Sequence, residues 1–399
     1  WVRILTDENT PDAKLSYLLY DKKARAVRTR TDYPLGGYTQ VDSKLNFIGN
    51  PEYVITKHKK DNSHTEEILR DTYTYDAQER VEKNIHKVNN LPNQLLSKNE
   101  YDELGQLEVK KIGGLDTSGG TYFQKVDYRY NVRGWLTDIN NTNNLVQSGQ
   151  PTDLFALRLN YNIFISNDIN GQVNKLYNGN IAETSWRTSS DNVLRRYGYS
   201  YDYLNRMLDA WYQKPGSVVP LPQSYDEHLS YDTNGNITTL QRNGSHELNS
   251  PFPIDDLVYD YSNESNQLVN VSDLEAHPDG FLDGNTGAGV EYTYDTFGNL
   301  IEDDNKGIDG ISYNHLNLPV AVTFGTLGDV EYVYDANGVK LQKNVNENNS
   351  TITTDYTDGF QYIDTQLMFF PQAEGTVMLT YDLSPAGNCL LYTSPSPRD

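Results

Sequence analysis

The sequence predicts an all-β protein: repeated β-hairpins joined into one curved, spiralling sheet. Three observations predict it. A tyrosine–aspartate–turn unit recurs along the chain, the chain carries 31 Tyr, 11 Phe and 4 Trp, and no window of about 15 residues shows helical spacing of its apolar positions. Clear copies of the unit begin at Tyr75-Asp76, Tyr101-Asp102, Tyr231-Asp232, Tyr294-Asp295 and Tyr334-Asp335. Looser copies begin at Tyr20, Tyr130, Tyr177, Tyr201 and Tyr313. Most neighbouring copies lie roughly 20–30 residues apart, the period of one supersecondary unit stacked many times.

Each part of the unit has a physical reason. Many copies hold a second tyrosine two residues earlier, as at Tyr73, Tyr128, Tyr199, Tyr259, Tyr292 and Tyr332. Residues i and i+2 of a strand share a face, so two rings stand side by side. The Asp that follows accepts a bond from the backbone two residues on and starts a turn. Three positions after it, Gly105, Gly235, Gly298 and Gly338 supply the positive φ that most residues resist. An aliphatic residue such as Leu107, Ile237 or Leu300 then opens the next strand. The unit is a hairpin, and because an isolated hairpin is marginal in water, successive units must pair.

Taken in order, residues 1–60 hold two irregular copies, around Tyr20-Asp21 and Asn46-Phe47-Ile48-Gly49. Regular units run from Tyr73 to Leu136. Ile139 to Asp153, rich in Asn, Ser and Gly, reads as a surface loop. Repeats resume near Tyr161 and Tyr177. Gln213 to His228 is an insertion whose Pro215, Pro220 and Pro222 suit no central strand. Asp273 to Gly289 is a third loop, and regular units continue from Tyr292 to about Phe360. No domain boundary is marked, so residues 1–388 read as one repeat segment.

Composition narrows the function. Even with Tyr counted, hydrophobic residues are 37%, lean beside the roughly 45–50% of ordinary domains. The aromatic content still opposes disorder, and tyrosines on a semi-wet face reconcile the two facts. The net charge of −22 is the wrong sign for nucleic-acid backbones. No apolar run reaches membrane-spanning length. The single cysteine, Cys389, opens residues 389–399, which look like the translated end of a sequencing-library adapter and are expected to be a disordered tail. Without that tail no cysteine remains for disulfides or thiolate metal sites.

Catalytic, cofactor and metal sites are not expected. The seven histidines, His58, His64, His86, His228, His246, His277 and His315, are scattered without metal-ligand spacing, and His315 sits where a turn residue belongs. The acidic run from Asp273 to Asn285 invites a calcium reading but lacks the EF-hand spacing, so an acidic surface loop is favoured. Asp303-Asp304 is a weaker case of the same kind. Many equivalent turn aspartates offer no singular carboxylate pair for glycoside hydrolysis. Neither a nucleophile elbow nor a phosphate-cradling glycine loop is present.

The repeat, with Tyr128-Arg129-Tyr130-Asn131-Val132-Arg133-Gly134-Trp135-Leu136, Asp303-Asp304-Asn305-Lys306-Gly307-Ile308 and Tyr313-Asn314-His315-Leu316-Asn317-Leu318-Pro319, resembles the Rhs or YD-repeat family over residues 15–388, in its Bacteroidetes-type form. The resemblance implies a ribbon of strands spiralling into a hollow shell, related to those of insecticidal Tc toxins, that encloses the protein's own C-terminal toxin domain. It implies a non-enzymatic, secreted or cell-surface segment, with glycans or a secretion apparatus as further partners. After Phe369-Phe370-Pro371 the family's core segment and toxin region are not matched, so the resemblance extends to a shell segment alone. The alternative is an extracellular adhesion protein that stacks sugar rings on exposed tyrosines.

Overall fold

The computed structural model describes residues 2–5, 13–163, 173–215, 223–245, 250–262, 265–284, 289–380 and 389–393. Among them the regular elements are β-strands, plus a single turn of 3-10 helix at Asp304–Lys306. The protein is all-β with long antiparallel sheets. In each register given below, a strand pairs with its sequence neighbour, as a chain of hairpins requires. The chain divides into two compact units, where the sequence marks no boundary.

The first unit comprises Trp1–Asn99, Ile112–Tyr122 and Asp309–Asp399. Its strands Ala13–Tyr20, Ala26–Asp32, Gly36–Leu45, Pro51–Asp61, Glu67–Tyr75 and Val81–Val88 pair in that order. Cross-strand partners share a face of a sheet. The registers Thr31↔Thr39, Thr39↔His58, Val41↔Thr56, Thr56↔Leu69, Leu69↔Val88 and Asp71↔His86 therefore place all of these residues on one face. A second meander runs from Gly310–Tyr313 to Gly375–Thr380.

Part of that meander returns to cover the first. Phe360, Tyr362, Leu367, Phe370 and Val377 form one buried cluster with Leu69 and Val88. Phe360 and Phe370 are 2% and 1% exposed, with ring centroids 5.8 Å apart. Burying such a side chain is worth about 1.5–3 kcal/mol. Here the sheet is doubled by face-to-face packing, which the single sheet expected from the lean composition did not include. Repeat periodicity reports neighbours along the chain, and this contact joins residues about 300 positions apart.

The second unit comprises Glu100–Lys111 and Phe123–Ile308. Its meander runs through Gln124–Tyr130, Leu136–Ile139, Phe155–Asn160, Glu183–Thr188, Arg195–Tyr201, Met207–Gln213, Glu227–Tyr231, Ile237–Gly244, Phe252–Tyr261 and Leu268–Asp273. Tyr292–Tyr294 and Leu300–Asp303 form a further hairpin. Rings substitute for aliphatic bulk: Trp186 stacks on Tyr197 at 5.6 Å, Tyr197 meets Tyr212 edge-on at 5.4 Å, and Tyr212 meets Tyr225 at 5.1 Å.

The expected loop at Ile139 to Asp153 is a loop from residue 140 onward. Pro215 follows the strand Met207–Gln213, while Pro220 and Pro222 lie outside the described residues. The tail differs from expectation. Cys389–Thr393 is a strand, antiparallel to Gly375–Thr380, so its first five residues are not the unstructured tail predicted; an open strand edge offers unpaired N–H and C=O groups to an extended neighbour. Residues 394–399 lie outside the described residues.

Candidate functional site: stacked turns and a tyrosine ladder

The turn predicted from the sequence is built by one oxygen. Asp76 Oδ1 accepts the backbone N–H of Gln78 and of Arg80, each at 2.9 Å. Asp102 serves Leu104 and Gln106, Asp232 serves Asn234 and Asn236, Asp295 serves Phe297 and Asn299, and Asp335 serves Asn337 and Val339, all at 2.8–3.0 Å. Asn131 and Asn314 do the same with an amide oxygen in the looser copies, with His315 beside the latter in the turn. Asp21 and Asp202 complete the set.

Three residues after each acid, the chain turns left-handed: φ is 85° at Gly105, 97° at Gly235, 86° at Gly298 and 80° at Gly338. This is a type I turn closed by a G1 bulge, and the ladder slips by one residue before each Tyr, as between Thr74 and Tyr75. Ala24 and Glu79 occupy the same position at 59° and 62°, where the expected Gly or Asn is missing. The Asp bonds hold the turn firmly enough to carry a side chain there.

The fourth residue after the acid was not singled out in the sequence, yet it completes the site. Arg25, Arg80 and Arg206 donate Nε to the second oxygen of Asp21, Asp76 and Asp202 at 2.6–2.7 Å. Asn236 and Asn299 do so with Nδ2 at 2.8 and 2.9 Å. Backbone donation from Arg25 and Arg206 holds the Asp21 and Asp202 carboxyls below the usual range. The Asn299 amide does the same for Asp295. At Asp76 and Asp232 local desolvation pushes upward, but the donors of Arg80 and Asn236 outweigh it and both carboxyls end low.

The tyrosine of the unit ties that unit to the one before. Tyr75 donates its hydroxyl to the Pro51 carbonyl at 2.7 Å, within the first unit. In the second unit Tyr130 reaches Leu107, Tyr161 reaches Leu136, Tyr201 reaches Ile181, Tyr231 reaches Met207, Tyr261 reaches Ile237 and Tyr294 reaches Leu268, at 2.7–3.0 Å. The acceptor lies 20–26 residues upstream, one repeat away. In most copies it is the carbonyl of the aliphatic residue that opens the strand after the previous turn. Burial raises these hydroxyls, that of Tyr201 to about 12, so each remains a donor at neutral pH. The paired rings expected at i and i+2 are seen at Tyr332 and Tyr334, 6.3 Å apart.

Neighbouring turns are also bonded to each other. Arg25 donates to the Asn46 carbonyl at 2.9 Å. Asn178 and Asn180 share Asn205 Oδ1 at 2.6 and 3.1 Å. Arg206 donates to the Asp232 carbonyl at 3.0 Å, and Asn234 and Asn236 share Asn266 Oδ1 at 3.2 and 3.0 Å.

The remaining candidates serve the scaffold. Asp273 caps the backbone of Glu275 and Ala276, and Asp303 caps Lys306 at the 3-10 turn. Among the described residues no three His, Cys, Asp or Glu side chains gather as a metal site. His58 is fully buried and stacks on Phe360 at 3.7 Å, its Nδ1 2.7 Å from the Thr39 hydroxyl. Burial lowers its pKa to about 4. His86 lies beside Asp71, His228 beside Asp209 and His64 beside Asp61, at 2.7–2.8 Å. His277 packs on Phe252 at 4.9 Å, and His246 lies outside the described residues.

The fold has solved counterparts. A mutant Tc holotoxin pore of Photorhabdus luminescens matches at TM-score 0.56 and 14% identity. The TcdB2-TccC3 complex matches at 0.56 and 14%, and the same complex without its hypervariable C-terminal region at 0.57 and 13%. Each match covers 98% of this chain and 20% of the other, so the chain spans about a fifth of the length of these neighbours. No family model and no curated protein matches. At this identity the likeness is one of fold: the chain folds as a segment of Tc-toxin chains does.

Proposed function

We propose that this chain is a wall segment of an Rhs-type shell that encloses a toxin domain of the same polypeptide, in a secreted or surface-exposed protein, and that its role is enclosure without catalysis. One observation carries the reading. The repeat spends its distinctive side chains on its own backbone, tyrosine on the preceding unit and aspartate on its own turn, so what the repeat encodes is continuity of a wall. The fold likeness to Tc-toxin chains supports the same role. The net charge of −22 suits a container that does not adhere to nucleic acid.

Electron microscopy of the full-length parent tests the proposal. A hollow particle with density inside it is expected, and a compact solid particle overturns it. Limited proteolysis adds a second reading: a C-terminal domain inside a shell resists protease until the repeats unfold. The adhesion alternative draws on the exposed rings of Tyr20 and Tyr203, 61% and 107% exposed, and selective, saturable binding on a glycan array would favour it.

A further inference from the structure

The polar face of the first unit is only partly covered by the returning hairpins, and a cavity of about 270 Å³ remains. Buried Thr39, Leu69 and Phe360 lie deepest in it, and exposed Thr29, Asp358 and Pro371 form its mouth. Its size falls just under the roughly 300–1,000 Å³ of sites for drug-sized ligands. Inner faces of packed sheets are ordinarily apolar, so a hydroxyl-rich wall at this place calls for a polar occupant.

Its chemistry defines that occupant. Thr29 and Thr56 line the cavity, and among the described residues their hydroxyls have no side-chain partner. Asp358 is already compensated, with Lys14 Nζ 2.7 Å from its Oδ1 and the Tyr33 hydroxyl donating to its Oδ2 at 2.7 Å, and Asp71 Oδ1 is engaged by His86 Nδ1 at 2.8 Å. A cation is therefore not required, yet lone pairs remain to accept hydroxyl hydrogens. Leu69 and Phe360 also line the cavity and offer C–H contacts for an apolar edge.

We propose that this cavity binds one small neutral polyhydroxylated molecule of monosaccharide size, independently of any shell function. Saturation-transfer NMR on the whole chain tests it, with glucose, galactose, mannose and myo-inositol as probes at millimolar concentration and ethanolamine as a cationic competitor. At least one polyol should bind saturably, and Thr29→Val and Thr56→Val should each weaken it roughly fivefold, the scale of one hydrogen bond. Thr29 is exposed at the mouth, so its valine variant should fold as the parent does and stays informative if Thr56→Val does not. Absence of saturable binding, unchanged affinity in Thr29→Val, or equal displacement by ethanolamine overturns the proposal.

Discussion

Where the residue three after the acid is glycine, it takes φ of 80–97°, and what surrounds it sets the cost of replacing it. At Gly298 an added Cβ would meet only Gln267 Nε2, at 3.8 Å. Gly298→Val should therefore cost only the left-handed conformation of a branched residue, about 1–2 kcal/mol. Gly235→Val, with Arg206 at 3.9 Å, should behave alike. Gly338→Val should cost more, because its Cβ would sit 2.9 Å from Leu318 Cδ1; thermal melts rank the three, and a Gly338 variant as stable as the Gly298 variant contradicts the geometry. The ladder gives a second test. Tyr231→Phe keeps the ring and deletes the bond to the Met207 carbonyl, so denaturant titration should show a loss of about 0.5–1.5 kcal/mol. Asp226 differs from the turn acids: it is 3% exposed and burial raises its pKa to about 6. A raised acid favours folding while protonated, and this contribution is lost as pH rises through about 6. Asp226→Asn keeps an acceptor for the Tyr212 N–H and should add roughly 1–2 kcal/mol at pH 7, with the gain vanishing below pH 4.

At the scale of the hairpin, strand and turn were readable because their determinants lie within five residues of each other, while the bulge shows only in the register. Asp76, Glu79 and Arg80 interact inside one turn, so pattern and geometry coincide. The partner of Tyr75 is the carbonyl of Pro51, and a carbonyl leaves no trace in a sequence; spacing showed that units pair, and only coordinates show the bond. The inner face of the first unit was hidden for a related reason. Thr39, Thr56 and His58 look like ordinary strand residues until Phe360 and Phe370 are placed over them from far along the chain. This contact makes its own prediction. Phe370→Ala, at a site 1% exposed, should cost about 3–5 kcal/mol and loosen the hairpins of 360–377 from Leu69 and Val88. Hydrogen exchange should then rise on the strand Glu67–Tyr75 while Phe252–Tyr261, in the other unit, keeps its protection. Equal rises in both strands would mean that the two units do not unfold separately.

For the molecule as a whole, pH acts through groups that pull in opposite directions. The carboxyls of Asp21, Asp76, Asp202, Asp232 and Asp295 are lowered from 3.8 by their donors. Their contribution is complete above the unfolded value and is lost as pH falls through the folded values. His58, lowered from 6.5 to about 4, begins to cost stability earlier: the unfolded chain takes up a proton below 6.5 that the folded chain refuses until about 4. Asp153 and Asp226, both raised to about 6 by burial, oppose it by gaining a proton in the fold first. Between pH 7 and 5 these terms offset one another, and falling net charge also relieves self-repulsion. Below 4 the buried acids have nothing left to add, while these five turn aspartates lose their anions. The melting temperature should therefore stay nearly level from pH 7 to 5 and drop steeply below 4. The drop should coincide with loss of the turns, because the same oxygens hold the backbone of each one. Asp295→Asn separates this cause from general charge effects. An amide keeps one acceptor but cannot titrate, so the hairpin Tyr292–Leu300 should lose some stability at pH 7 and become less sensitive to acid than its neighbours. Residue-resolved exchange across the pH series reads this directly, and an acid response at that hairpin identical to the parent's would remove the turn carboxylates as its cause.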